Sequence, residues 1–264
     1  MPDTSSITPL HGRSDSLADA SALARDLDAR YGSLAAPDLL RAMIEREFPG
    51  RIAVVSSFGA ESAVILHLVA QVDPATPVIF LETGKHFLET LTYRDILVDR
   101  FGFTDLRVVE PDPVLLSEGD PDGELWRRDP TLCCQLRKVL PLERALRGFS
   151  AWITGRKRFH GGERATLPAI EAVDGRIKVN PLVHWTPGEV AEAFKANRLP
   201  PHPLVDEGYA SIGCAPCTRP VRAGDPTRAG RWAGTAKTEC GIHGPRGTQA
   251  GPHRHVGPDP RPQS

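Results

Sequence analysis

Residues 52–72 read IAVVSSFGAESAVILHLVAQV, and the reading of this stretch decides the fold. IAVVSSF (52–58) is an apolar run of strand length, and AESAVILHLVAQV (60–72) carries a helical pattern, with a Ser/Gly turn between them. PVIFLETG (77–84) repeats the theme as a second strand ending in Gly. Outward from there, Lys85 to Phe101 suits a helix and LRVVEP (106–111) a third strand, and AWITG (151–155) and RIKVNPLV (176–183) are further strands. Strands separated by helix-length segments predict an α/β fold with a doubly wound, mainly parallel sheet, in which ligands sit at the carboxyl ends of the strands. SSFGAES, LETGK and ITGRKR are all strand-end loops on this reading.

The flanks behave differently. Leu17, Ala20, Leu23, Ala24 and Leu27 recur at helical spacing, and Pro37 opens a second run with Leu40, Met43, Ile44 and Phe48, so residues 1–50 are expected to form an N-terminal helical appendage. From Pro200 onward Gly, Pro and Arg interrupt every period, and the last stretch has too few apolar residues to offset its ordering entropy. The expected division is therefore 1–50, an α/β domain over 51–235, and a mobile C-terminal segment over 236–264, in which His253 and His255 are solvated. Across 264 residues, 32 Lys+Arg stand against 33 Asp+Glu, so overall charge gives no case for a nucleic-acid or membrane partner. The N-terminal residues lack the apolar core of a signal peptide, and no run approaches the roughly 18 to 20 apolar residues of a membrane span; a cytoplasmic protein is expected.

Three groups of residues can carry chemistry. The loop Ser56-Ser57-Phe58-Gly59-Ala60-Glu61-Ser62 opens a helix, where free N–H groups and the helix dipole favour an anion. It is neither a Walker A loop nor G-x-G-x-x-G, and taken alone it reads first as an ordinary capped turn. The five cysteines are too few for a disulfide scaffold and odd in number. Cys133-Cys134 and the C-x-x-C pair Cys214 and Cys217 supply four soft ligands for zinc or an iron-sulfur cluster, with buried unliganded thiols as the bland alternative. Adjacent cysteines diverge by about 100° on a helix, which suits a cluster with several irons better than one tetrahedral zinc. The cations gather near them: Arg137, Lys138, Arg156, Lys157, Arg158, Arg219, Arg222, Arg228, Arg231 and Lys237. Arginine forks match phosphate or sulfate oxygens, so a small, multiply charged anion is the expected ligand. Cys240, between Lys237 and His243 and flanked by Gly, is either a nucleophile with a lowered pKa or an inert tail thiol.

Taken together, SSFGAES, LETG, CCQLRKVLPLERAL, WITGRKR, KVNPLVHWT, PHPLVDEGYASIGCAPCTRPV, RAGRW and KTECGIH, in that order from about Val54 to His243, resemble the assimilatory adenylylsulfate (APS) and phosphoadenylylsulfate (PAPS) reductase family. The resemblance implies an adenine-nucleotide α-hydrolase-like (PP-loop) fold. It implies a 4Fe-4S cluster on Cys133, Cys134, Cys214 and Cys217, Cys240 as catalytic nucleophile, and the APS-using, cluster-bearing branch. The substrate contacts it suggests are Ser56, Ser57, Gly59, Ser62, Thr83, Lys138, Gly155, Arg156, Arg228 and Arg231. The expected reaction is reduction of APS to sulfite and AMP through an S-sulfocysteine, with thioredoxin or a glutaredoxin-like protein as reductant and a homo-oligomer left open. Where family members often carry Gln-Ser followed by an arginine, this chain reads Arg158-Phe159-His160-Gly161-Gly162-Glu163-Arg164. That leaves Arg164 a looser substrate contact and His160 either a polar loop residue or a substituted nucleotide contact.

The competing readings are a PAPS or dual APS/PAPS reductase, an ATP-dependent PP-loop thiolation enzyme, and a metal-binding module or sensor. The second has no use for ECGIH, and the third leaves Cys240 and the arginines idle.

Overall fold

The computed structural model describes residues 11–235 and 237–243, with side chains from Leu17 onward. Two N-terminal helices, α1 (His11–Tyr31) and α2 (Ala36–Arg41), come first; α2 runs on through a wider π-type turn, Ala42–Glu47. Strand β1 (Ile52–Val55) then leads to α3 (Ser62–Val72), β2 (Val78–Leu81), α4 (Leu88–Phe101) and β3 (Leu106–Val109). Four short helices follow: α5 (Pro113–Gly119), α6 (Leu125–Arg128), α7 (Pro130–Cys134) and α8 (Leu140–Ala145), the last two joined by a π-type turn over Gln135–Val139. Strands β4 (Ala151–Ile153), β5 (Ile170–Val173) and β6 (Arg176–Val179) and helix α9 (Pro187–Ala196) complete the regular elements.

The six strands form one sheet in the order β3-β2-β1-β4-β6-β5. All neighbours are parallel except β5, which runs antiparallel to β6. Alternation along the central strands supplies two apolar faces. Val54, Val78, Phe80 and Ile153 lie in one core with α3, and Ala53, Ile79, Leu81 and Trp152 lie in the other with Leu142 of α8 and Leu146 just after it. The doubly wound sheet read from the sequence is the observed fold.

Three local differences have physical reasons. The helix expected from Lys85 starts at Leu88, because Lys85 and His86 are drawn into backbone pairing with residues 214–215. The strand RIKVNPLV stops at Val179: the Asn180 side chain is taken up by the Pro168 carbonyl and Glu171, and Pro181 follows. Strand β5 had no separate assignment; it makes a hairpin with β6 through Asp174-Gly175, both at positive φ (50° and 77°), the geometry of a two-residue turn. The N-terminal helices are present, and Leu27, Leu39, Leu40 and Met43 are buried in the same core as Val54 and Phe80. Helix α1 packs against β5 and β6, and α2 against α3. Among the described residues no helix is long and apolar enough to cross a membrane.

Candidate active site and cysteine recess

The chain builds β1, β2 and β3 outward in one direction and then returns to lay β4 on the other side of β1. The carboxyl ends of β1 and β4 therefore diverge at a topological switch point, where α/β sheets open a ligand crevice. A cleft lies there, lined by the β1 loop, the β4 loop and two segments from the C-terminal third.

From the β1 loop, Ser56, Ser57, Gly59, Glu61 and Ser62 face the cleft. Ser56 Oγ accepts from the Phe58 amide at 3.1 Å, fixing the turn. A Cβ on Gly59 would lie 3.1 Å from the Ile212 carbonyl, so the close approach of the 210–213 segment favours glycine here. Glu61, at the N-cap position of α3, does not cap it; its Oε2 accepts from Lys157 Nζ at 2.7 Å. The first amides of α3 are left without a side-chain acceptor, an arrangement that suits an anion. Burial opposes the Glu61 charge, but His160 and Lys157 outweigh it and hold the carboxyl at about 2.

The β4 loop contributes Thr154, Gly155, Arg156, Lys157, His160 and Arg164. Arg156 is buried and already paired with Glu171. His160 lies 3.2 Å from Glu61 through Nε2 and 3.2 Å from Arg164 Nη1 through Nδ1. The Nε2 contact falls outside hydrogen-bond geometry. Arg158, by contrast, donates to the Leu167 carbonyl at 2.7 Å and does not line the cleft.

The third wall carries the thiol. Residues 237–243, expected to be mobile, are seated on the cleft; the remaining tail, with His253 and His255, lies outside the described residues. Glu239 is clasped by Arg164 at 2.5 and 3.0 Å and lies 3.3 Å from Arg228, so its carboxylate sits inside the cationic cluster. Cys240 is buried against Cys134 and Trp232. Among the described residues, Glu239, Cys240 and His243 bring their ligand-type atoms within 4.8 Å of one another. Four cations, Lys178, Arg156, Arg164 and Arg228, drive the His243 pKa down after burial itself, and such surroundings disfavour a metal cation at this trio.

Cys133, Cys134, Cys214 and Cys217 line a second, smaller recess beside the cleft. None of the five thiols is in a disulfide. Asp129 caps α7 through the amides of Thr131 and Leu132, placing the adjacent pair at that helix's end. The C-x-x-C turn is pinned by the Ala215 amide on the Lys85 carbonyl at 2.7 Å. Burial, then Cys214, pushes the Cys133 thiol up to about 11, and burial pushes Cys134 to about 12. Cys214 lies below its usual value, because Lys138 and the Thr83 hydroxyl at 3.4 Å outweigh its burial. The fit to a thiophilic metal group is good: four soft donors, with the buried Arg231 Nε and Trp232 Nε1 lacking an acceptor beside them.

Lys138, Arg231 and Trp232 line both the recess and the cleft and form their common wall. Lys138 is buried, which lowers an ammonium's pKa, yet Cys214, Cys240 and Cys134 reverse the effect and raise it. Arg231 stacks on Trp232 with its guanidinium 4.5 Å from the ring centroid. It also passes so close to Gly213 that any side chain there would collide with it.

Of the expected contacts, Ser56, Ser57, Gly59, Ser62, Lys138, Gly155, Arg156, Arg228, Arg231 and Cys240 line the cleft. Thr83 does not: it is buried beside Cys214, and its carbonyl accepts from Arg137 Nη1 at 2.7 Å. Arg137 in turn is committed to Asp120. Lys157, expected only as one of the cations near the cysteines, lines the cleft as well, and Glu61 and Glu239 belong to it without having been expected as site residues. The only trace of these two in the sequence is a carboxylate inside each of two loops otherwise suited to anions.

The sequence of residues 51–220 matches the model of the phosphoadenosine phosphosulfate reductase domain. The chain belongs to this reductase family. Similar proteins include the adenosine 5'-phosphosulfate reductase of Mesorhizobium japonicum, 51% identical over 235 residues, covering 89% of this chain and 92% of that protein. The enzyme of the same name from a Chelativorans species is 53% identical over 228 residues, covering 86% and 93%. Among solved structures, phosphoadenylyl-sulfate reductase from Candida auris, in a phosphate complex, superposes with a TM-score of 0.63 at 27% identity, over 74% of this reductase-family chain and 96% of that one. Candida glabrata FMN adenylyltransferase shares the fold alone, at 17% identity and a TM-score of 0.50 over 77% and 73% of the two chains.

Proposed function

We propose that this chain reduces adenylylsulfate to sulfite and AMP in assimilatory sulfate reduction, with Cys240 as nucleophile and a cytoplasmic dithiol protein of the thioredoxin or glutaredoxin type as reductant. One observation carries the reading: among the described residues lining the cationic cleft, Cys240 is the one thiol. The adenosine 5'-phosphosulfate reductases that resemble the chain over most of its length support the choice of substrate.

The electron balance is direct. Cys240 thiolate attacks the sulfonyl sulfur, the sulfur–oxygen bond to phosphate breaks, and AMP leaves with that electron pair. The resulting S-sulfocysteine is attacked at Cys240 Sγ by a thiolate of the partner, which expels sulfite. The partner's second thiol then resolves the mixed disulfide and restores Cys240. A phosphosulfate carries two negative charges that repel a thiolate, and Lys138, Arg228 and Arg231 stand where they would neutralise them. The amides and hydroxyls of residues 56–62 would hold the nucleotide phosphate.

Cys133, Cys134, Cys214 and Cys217 would hold a 4Fe-4S cluster. When bound, it supplies fixed charge and rigidity beside the shared wall, where Lys138 and Arg231 lie. Electron transfer is left to thiol exchange, since two thiols deliver both electrons.

Sulfite release measured with reduced thioredoxin should be faster from APS than from PAPS at equal concentration, and absent in Cys240→Ser. Equal rates with both nucleotides would undo the substrate choice, and turnover by Cys240→Ser would undo the nucleophile. Iron and acid-labile sulfide in the purified protein, lost in Cys133→Ser, would support the cluster; stoichiometric zinc would replace it.

A further inference from the structure

The segment bearing Cys240 is held down from a side of the sheet that the reaction itself does not use. Lys178, on β6, is completely buried. Its Nζ donates to the His243 carbonyl at 3.0 Å, lies 4.7 Å from the centre of the Trp152 ring and is 3.6 Å from Glu171. The Trp152 ring, from neighbouring β4, lies parallel to the His243 imidazole, with 6.3 Å between centroids and 4° between planes.

A buried ammonium needs acceptors, and Lys178 has few. Glu171 is shared: the same Oε1 accepts from Arg156 and, at 3.1 Å, from Asn180 Nδ2. The His243 carbonyl is therefore the Lys178 hydrogen-bond acceptor at normal distance, and it comes from the segment that must also meet a protein reductant. Burial, then Arg156, pulls the Lys178 pKa down to about 7, yet an amine donates to a carbonyl as an ammonium does, so the contact survives either state.

We propose that Lys178 and Trp152 are a dock for the 237–243 segment, Lys178 holding the His243 main chain and Trp152 its ring, and that Lys178 is thereby a positioning residue for Cys240. Lys178 does not line the cleft, so it acts on the nucleophile's placement and not on substrate. The proposal rests on the reading of Cys240 as nucleophile.

The test is alkylation of Cys240 in the full-length, metal-loaded protein by a thiol reagent, with Cys240→Ser defining the background from other cysteines. Lys178→Met keeps the aliphatic stem and removes the donor. It should raise the Cys240 alkylation rate about tenfold, the scale of one lost hydrogen bond. It should also lower kcat with little change in KM, and Lys178→Arg should restore most of both. His243→Gly, which leaves Lys178 and its buried partners in place, should also accelerate alkylation by removing the ring from Trp152, and it keeps the dock testable if Lys178→Met does not fold. Unchanged alkylation in folded Lys178→Met, or in His243→Gly, overturns the dock. Alkylation needs no turnover, so this failure is distinct from activity in Cys240→Ser, which would overturn the nucleophile.

Discussion

Glu61 stands where a helix commonly carries a capping side chain, and its carboxylate is spent instead on Lys157 and His160. The carboxyl is held at about 2, below the ordinary 4.5, so the stability it contributes is fully present above 4.5 and is lost as pH falls through about 2. Lys157 is itself lowered, by burial first, so the pair stabilises less than the carboxylate's shift alone would suggest. Urea unfolding at a series of pH values should find Glu61→Gln less stable than the parent at neutral pH, with the gap closing toward about 2; a gap that stays constant would contradict the pairing. Single residues also show what a linear reading can reach. Cys240, Lys138, Arg228 and Arg231 all line the cleft, and the signal that singled them out was the ordered set of family motifs, since local spacing left Cys240 equally open to an inert tail thiol. Thr83 lies outside the cleft lining, which LETG does not show in sequence, because the pairing of residues 85–86 with 214–215 sets its hydroxyl beside Cys214. Glu239 was invisible as a partner because Arg164 lies 75 residues away.

At the scale of elements, the strands were legible wherever both faces are buried, since β1, β2 and β4 are continuous apolar runs. The 113–145 region was not, because its four helices are each seven residues or fewer and show too little period to read. They are organised by one buried polar node. Arg137 Nη2 donates to Asp120 Oδ2 at 2.5 Å, Asp120 Oδ1 accepts from the Leu125 amide at 2.8 Å, and Arg137 Nη1 donates to the Thr83 carbonyl. The node ties the end of α5, the start of α6 and the π-type turn after α7 to the end of β2. Asp120→Asn would leave a buried guanidinium without its counter-charge, and the expected loss is about 3 to 5 kcal/mol in equilibrium unfolding. A loss below about 1 kcal/mol, the scale of an exposed pair, would show that the node is surface-like.

In the whole molecule, the sheet carries the cleft between β1 and β4 while Cys240, the proposed nucleophile, arrives from the last described segment. The division expected from sequence, a nucleotide-binding unit over 51–235 and a C-terminal segment from 236, therefore has a direct test. A chain ending at Thr235 should unfold cooperatively and bind AMP, measured by calorimetry, and release no sulfite; sulfite production by that chain would place the nucleophile elsewhere. Tertiary placement is also where sequence reading ended. The β1–β4 adjacency sets Ile52 beside Ala151, and nothing local in either strand encodes that pairing. The same topology sets an order of assembly for the cysteine recess. Cys133 and Cys134 precede β4, while Cys214 and Cys217 follow β6, so β4, β5 and β6 lie in sequence between the two halves of the donor set. The halves meet only after those strands have closed loops of high contact order, the slow part of folding. A chain refolding from denaturant should regain its sheet before its four thiols converge, and during synthesis the set is incomplete until Cys217 has emerged. A metal group held in the recess, as proposed, would thus be received by a nearly finished protein, and its supply would be a late step rather than a nucleus for folding.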